Sequence, residues 1–93
     1  MITWDEKKRK QVIKDHGVDL ARLSEVLEDP FAIFADDTMH SHDERRMMVI
    51  DKHAEYGLVM AIFTAIDDEI RFITARRAER WMVREYEKQR RRH

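Results

Sequence analysis

Ninety-three residues are enough for one hydrophobic core and leave no length for a second, so a two-domain enzyme is excluded and residues 1–93 are expected to form a single domain. With 43% hydrophobic and 40% charged residues the core must be thin and the surface ionic, a balance that an oligomer or a partner would support. The absence of cysteine rules out a disulfide framework, a thiolate zinc site and a cysteine nucleophile, and a net charge of −1 taken alone argues against a binder of nucleic acid.

Ile2 and Trp4 alternate with polar neighbours and predict a short first strand. Asp5 then caps a helix running to about Asp15, with Gly17 as its stop. That helix is basic, with Lys7, Lys8, Arg9, Lys10 and Lys14, and offers the core little beyond Val12 and Ile13. Asp19 caps a second predicted helix, whose Leu20, Leu23, Val26 and Leu27 recur at helical spacing until Pro30 ends it. Phe31, Ile33 and Ala35 predict a short strand leading into an acidic loop from Asp36 to Asp43. Met47, Met48, Val49 and Ile50 place a strand between Arg45 and Lys52, and Tyr56 and Gly57 make a turn. Leu58 to Ile66 is apolar on both faces and reads as the central strand. Asp67 and Asp68 turn the chain into a hairpin partner, Glu69 to Ala75. A terminal helix runs from Ala78 to about Arg92, with Ala78, Trp81, Met82, Glu85 and Tyr86 on or near one face. The predicted fold class is α+β: a small antiparallel sheet flanked by N-terminal helices and one C-terminal helix.

The charge is unevenly spread. From Asp19 to Glu44 eight acidic residues stand against one arginine, whereas from Arg71 to His93 nine Lys or Arg stand against three Glu. Positive and negative surfaces are therefore expected to be separate, which restores nucleic acid as a candidate ligand. Met1 to Lys10 is too polar for a signal peptide and Leu58 to Ala65 too short to span a bilayer, so a cytoplasmic location is expected.

The order Trp4-Asp5, His16-Gly17-Val18, Asp29-Pro30, the loop His40, Glu44-x-Arg46, then Ile70-Arg71-x-Ile73-Thr74-Ala75-Arg76-x-Ala78 and finally Tyr86 resembles the BrnT family. The resemblance implies a RelE-like fold and a ribonuclease toxin of a type II toxin-antitoxin system. It also implies RNA as substrate and a hetero-oligomer with a BrnA-like antitoxin, whose ribbon-helix-helix part binds DNA and represses the shared operon. In one respect the chain departs from the family. Many members look like Thr-x-Arg-Gly after the central strand, whereas this chain has Thr64-Ala65-Ile66-Asp67. Ile66 in place of that arginine supports a second reading, a catalytically weakened homologue that serves as the antitoxin's binding partner or as a co-repressor.

A ribonuclease without metal or other cofactor needs a base for the ribose 2′-hydroxyl, cations for the charge gathering on the phosphorane and an acid for the leaving oxygen. Arginine suits the middle task, because its planar fork holds two phosphate oxygens at once. Arg76 is the first candidate: it follows the Glu69-to-Ala75 strand, on the parity of Ile70, Phe72 and Thr74, and it matches the family motif. Its plainer role would be an ion pair with an acid such as Glu79. Arg46 opens another strand and is expected to reach the same phosphate, whereas Arg45 points to the opposite face and pairs with Glu44 or solvent. Glu44 and His40 are the candidates for the base, against the ordinary alternative of solvent-facing loop residues. Lys7, Lys8, Arg77 and Arg80 are assigned to RNA binding as a sequence-indifferent cationic field, beside the simpler role of solvated surface. His40-x-His42 with Asp36, Asp37 and Asp43 has metal-ligand chemistry but no regular structure to hold it, so no metal is assigned. A chain this short with six methionines and two tryptophans leaves some for a partner, and Trp81 and Met82 are the candidates for the antitoxin contact.

Overall fold

The structure is a computed structural model and describes residues 1–38 and 44–92. In chain order it holds strand β1 (Ile2–Trp4), helix α1 (Glu6–His16), two 3₁₀ turns (Leu20–Arg22 and Ser24–Leu27), strands β2 (Ile33–Asp36), β3 (Met47–His53), β4 (Gly57–Ile66) and β5 (Glu69–Arg77), and helix α2 (Arg80–Arg91). The strands form one sheet in the order β1-β5-β4-β3-β2. β2 to β5 are antiparallel neighbours, but β1 runs parallel to β5, so the sheet is mixed rather than wholly antiparallel. The parallel pairing follows from the connection: the chain leaves β1 through α1 and returns to the sheet only at its far edge.

Local chemistry sets the ends of α1. The Asp5 carboxylate accepts hydrogen bonds from the backbone N–H of Lys7 and Lys8, and Gly17 closes the helix at φ 67°, its N–H reaching the Ile13 carbonyl at 2.9 Å. Val12 is the one buried residue of this helix. Its docking is reinforced by Arg9, whose Nε and Nη2 meet the two carboxylate oxygens of Asp19 at 2.7 and 2.9 Å. The pairing holds the Asp19 carboxyl below its usual range, and the Ala21 N–H adds to that.

The expected second helix is instead the pair of 3₁₀ turns. Leu20, Leu23 and Val26 recur at intervals of three, the period of a 3₁₀ turn, and each is at most 1% exposed. A 3.6-residue turn would instead have spread the three over about 120° of the helix surface.

The sheet separates two apolar clusters. On one side α1 and the 3₁₀ turns cover Val49, Val59, Ala61, Phe63, Phe72 and Ala75. On the other, Met82 and Tyr86 of α2 cover Ile50, Met60 and Ile62. The β4–β5 ladder contains a register shift: Ile62 faces Thr74 while Phe63 faces Phe72, leaving Ile73 as an extra residue. Phe72 and Ala75 therefore lie in the same cluster although they are three apart, and Ile73 packs on the other side. The simple alternation expected for β5 is broken there.

Candidate nucleic-acid interface

Three arginines belong to the α2 side of the sheet. Arg76 is not beyond the strand as expected but within it, opposite Met60, because β4 extends back to Gly57 and carries the pairing as far as Val59–Arg77. The bulge places Arg76 and Thr74 on the α2 side, the face opposite Ile70 and Phe72, whose parity they were expected to share. Arg71 precedes the bulge and alternates with Ile70 and Phe72, so it too faces the α2 side. Arg46 leads into β3 one residue before Met47, which packs in the α1-side cluster, and so points to the α2 side.

The register decides which of these can act together. Met47 faces Phe63 and Met60 faces Arg76. Arg46 and Arg76 are thus four rungs apart along β4, roughly 13 Å, and two strands apart across the sheet, roughly 10 Å. That spacing suits different phosphates of one strand better than a shared one. Arg76 is 42% exposed and its Nη2 meets Glu79 Oε1 at 2.7 Å. The second Glu79 oxygen accepts from the Trp81 indole at 2.9 Å. The Arg76 Nε is buried and has no hydrogen-bond partner among the described residues.

Other predicted residues fall elsewhere. Glu44 is exposed, just ahead of Arg46. His40, like His42 and Asp43, lies outside the described residues, and no group of three or more metal-ligating side chains occurs among the described ones. Arg45 pairs with Asp36 at 2.7 Å rather than with Glu44, because both lie on the α1 side of the β2–β3 ladder. The pair lowers the Asp36 carboxyl. Lys7 and Lys8 are exposed on α1, and Arg77 covers the Tyr56 ring at 5.9 Å, so these three lie on the side opposite Arg76. Arg80 is exposed at the start of α2. Trp81 is 48% exposed, but Met82 is 2% exposed, packed beneath α2 against the sheet, and offers no surface to a partner. The helical phase explains the difference, since adjacent residues differ by about 100° and only one can face the sheet.

Sequence reasoning missed Asp51. It is fully buried in β3, accepts a hydrogen bond from the Tyr86 hydroxyl at 3.2 Å, and leaves its other oxygen unpartnered among the described residues. Burial, with the nearby Asp29 carboxyl, pushes it up to about 6. Burial and the Asp51 charge in turn push Tyr86 up to about 12. A lone acid in the apolar stretch Met47–His53 was the available signal. Tyr86 and the Asp29-Pro30 pair, far apart in sequence, thus converge on one buried carboxyl that ties α2 to the sheet.

Fold and face together define a small α+β protein that presents arginines from different strands on one side of a mixed sheet. The profile of the family described as "Ribonuclease toxin, BrnT, of type II toxin-antitoxin system" matches residues 4–81, and the chain belongs to that family. Its structure is similar to the crystal structure of the Brucella abortus ribonuclease toxin BrnT, at 27% sequence identity and a TM-score of 0.68, over 85% of this chain and 96% of that one. Comparison with curated protein sequences gives no match. No helix among the described residues is long and apolar enough to cross a membrane.

Proposed function

We propose that the protein is a cytoplasmic, metal-independent endoribonuclease that arrests growth by cutting RNA and is neutralised by a cognate antitoxin of the BrnA-like ribbon-helix-helix kind. The observation that carries the reading, beyond family membership, is Arg76: a strand-borne guanidinium with an orphaned buried Nε on the face that also bears Arg46. A guanidinium offers five donors, so the contact with Glu79 orients Arg76 without consuming it. Arg76 and Arg46 then hold phosphates of the RNA strand and stabilise the phosphorane charge. Glu44 or His40 takes the 2′-hydroxyl proton, and Lys7, Lys8, Arg77 and Arg80 supply the long-range cationic field. Trp81 is the proposed antitoxin contact.

The alternative, a weakened homologue kept as the antitoxin's partner or as a co-repressor, is favoured by one observation. Ile66, 54% exposed, puts an apolar side chain at the end of β4 where the family resemblance implies an arginine. Expression without antitoxin, coupled to an RNA-cleavage assay in chelator, separates the two. Growth arrest and cleavage are expected; a folded protein that does neither would establish the alternative.

A further inference from the structure

We infer that Arg71 and Arg46, on either side of Thr64 in one transverse row, grip the phosphodiester backbone of single-stranded RNA. The inference rests on the ribonuclease reading but adds to it a site built by the bulge. Thr64 faces Arg71 on β5, and Arg46, one step before the Met47–Phe63 pair, continues the same row on the β3 side. The row lies one same-face rung beyond Ile62, the last buried residue of the cluster that α2 covers. Two strand spacings, roughly 10 Å, separate the two arginines. Thr64 between them is buried, so it is the two forked cations on either side of it that are offered to a phosphate diester.

Arg71 is distinguished by what it lacks. Among the strand-borne arginines, Arg76 is held by Glu79 and Arg77 lies over Tyr56; Arg45, just before β3, is held by Asp36. The Arg71 side chain is exposed and has neither a hydrogen bond nor an ion pair among the described residues. The acid nearest in sequence, Glu69, accepts a hydrogen bond at 3.1 Å from the Thr3 hydroxyl on β1, on the flank of β5 away from Thr64. Without the extra residue at Ile73, strand alternation would put Arg71 and Arg76 on opposite faces. With it both face the same side, so one RNA strand can run along β5 from the Arg71 row to Arg76.

The test uses a fluorescein-labelled single-stranded RNA with 2′-O-methyl riboses, which cannot be cut through the 2′-hydroxyl, titrated by anisotropy over a salt series with the full-length protein. Arg71→Ala should weaken binding about five- to tenfold at low salt and flatten the slope of log K against log salt by about 0.7, the loss of one phosphate contact on a single strand. Arg71→Lys should keep the slope. Lys14→Ala, an exposed cation on the α1 side, is the control, and thermal unfolding verifies the fold of each variant. An Arg71→Ala protein that is folded and binds with wild-type affinity and slope overturns the row, even if the wild type cuts unmodified RNA. If the wild type cuts no RNA yet the Arg71→Ala slope falls, the row stands and the ribonuclease reading falls.

Discussion

At the scale of single residues, two side chains carry opposite consequences for activity and stability. Arg76 is part-exposed and tied to one acid, and exposed ion pairs contribute less than about 1 kcal/mol. Arg76→Ala should therefore leave the thermal transition nearly unchanged while RNA cleavage falls about 100- to 1000-fold, as expected when a donor to the transition-state charge is removed. Arg76→Lys should recover little, because the ammonium lacks the fork. A variant that cuts normally, or one inactive only through unfolding, defeats the role. Asp51 acts on stability instead. Its folded pKa of about 6 lies above the ordinary value of 3.8, so the folded state binds the proton more tightly. That stabilisation is complete below about pH 4 and is lost as pH rises through about 6, by about 3 kcal/mol. Asp19 and Asp36 have lowered values and act with the opposite sign, losing stabilisation as pH falls. The informative quantity is thus the difference between wild type and Asp51→Asn in thermal unfolding from pH 4.5 to 7.5. The wild type should lose ground relative to the variant as pH rises, and parallel curves would refute the assignment.

At the scale of elements, α1 depends on its ends more than on its packing. With Val12 its one buried residue, the helix has little apolar area to hold it against the sheet. Asp5→Ala removes an acceptor shared by two backbone N–H groups and should cost about 1 kcal/mol, read as a lower denaturant midpoint at unchanged slope. Asp5→Asn or Asp5→Ser should restore most of it; if neither differs from Asp5→Ala, the cap contributes nothing. Helix α2 is held differently, by Met82 and Tyr86 on the apolar cluster and by the Tyr86 hydroxyl on Asp51. The bulge in β5 belongs to this scale as well, since one extra residue determines which arginines share a face.

At the scale of the whole molecule, the sheet divides the cations into two sets. Lys7, Lys8 and Arg77 lie on the α1 side and Arg46, Arg71 and Arg76 on the α2 side, so a near-neutral chain still presents cationic surface on both sides. An antitoxin that covers the α2 side would block the arginines, and Trp81, close to Arg76 through their shared partner Glu79, is placed to report it. Antitoxin binding should shift Trp81 fluorescence to the blue and protect it from acrylamide. Trp4 is the second tryptophan, so the comparison is made in a Trp4→Phe background. An indole as accessible in the complex as in the free toxin rules out the contact.

Much of the fold was legible because its signals are local. Asp5 and Gly17 mark the ends of α1, the two-residue turn at Asp67 and Asp68 joins β4 to β5, and the doubly apolar Leu58-to-Ile66 run marks a strand of the sheet interior. The sequence by itself also determined the family, since the ordered motifs from Trp4 to Ala78 lie within the matched residues 4–81. Only the tertiary structure decided the rest. No glycine or proline announces the bulge at Ile73, which sets the facing of Arg71 and Arg76. The strand order, not the strand sequence, separates Arg46 from Arg76. The Asp51 carboxyl acquires its high pKa from burial and from Asp29, 22 residues away in the chain, against the opposing hydrogen bond from Tyr86, 35 residues away. Caps and turns depend on contacts within a few residues, whereas register, facing and burial depend on which strands meet, and that is fixed by the packed core as a whole.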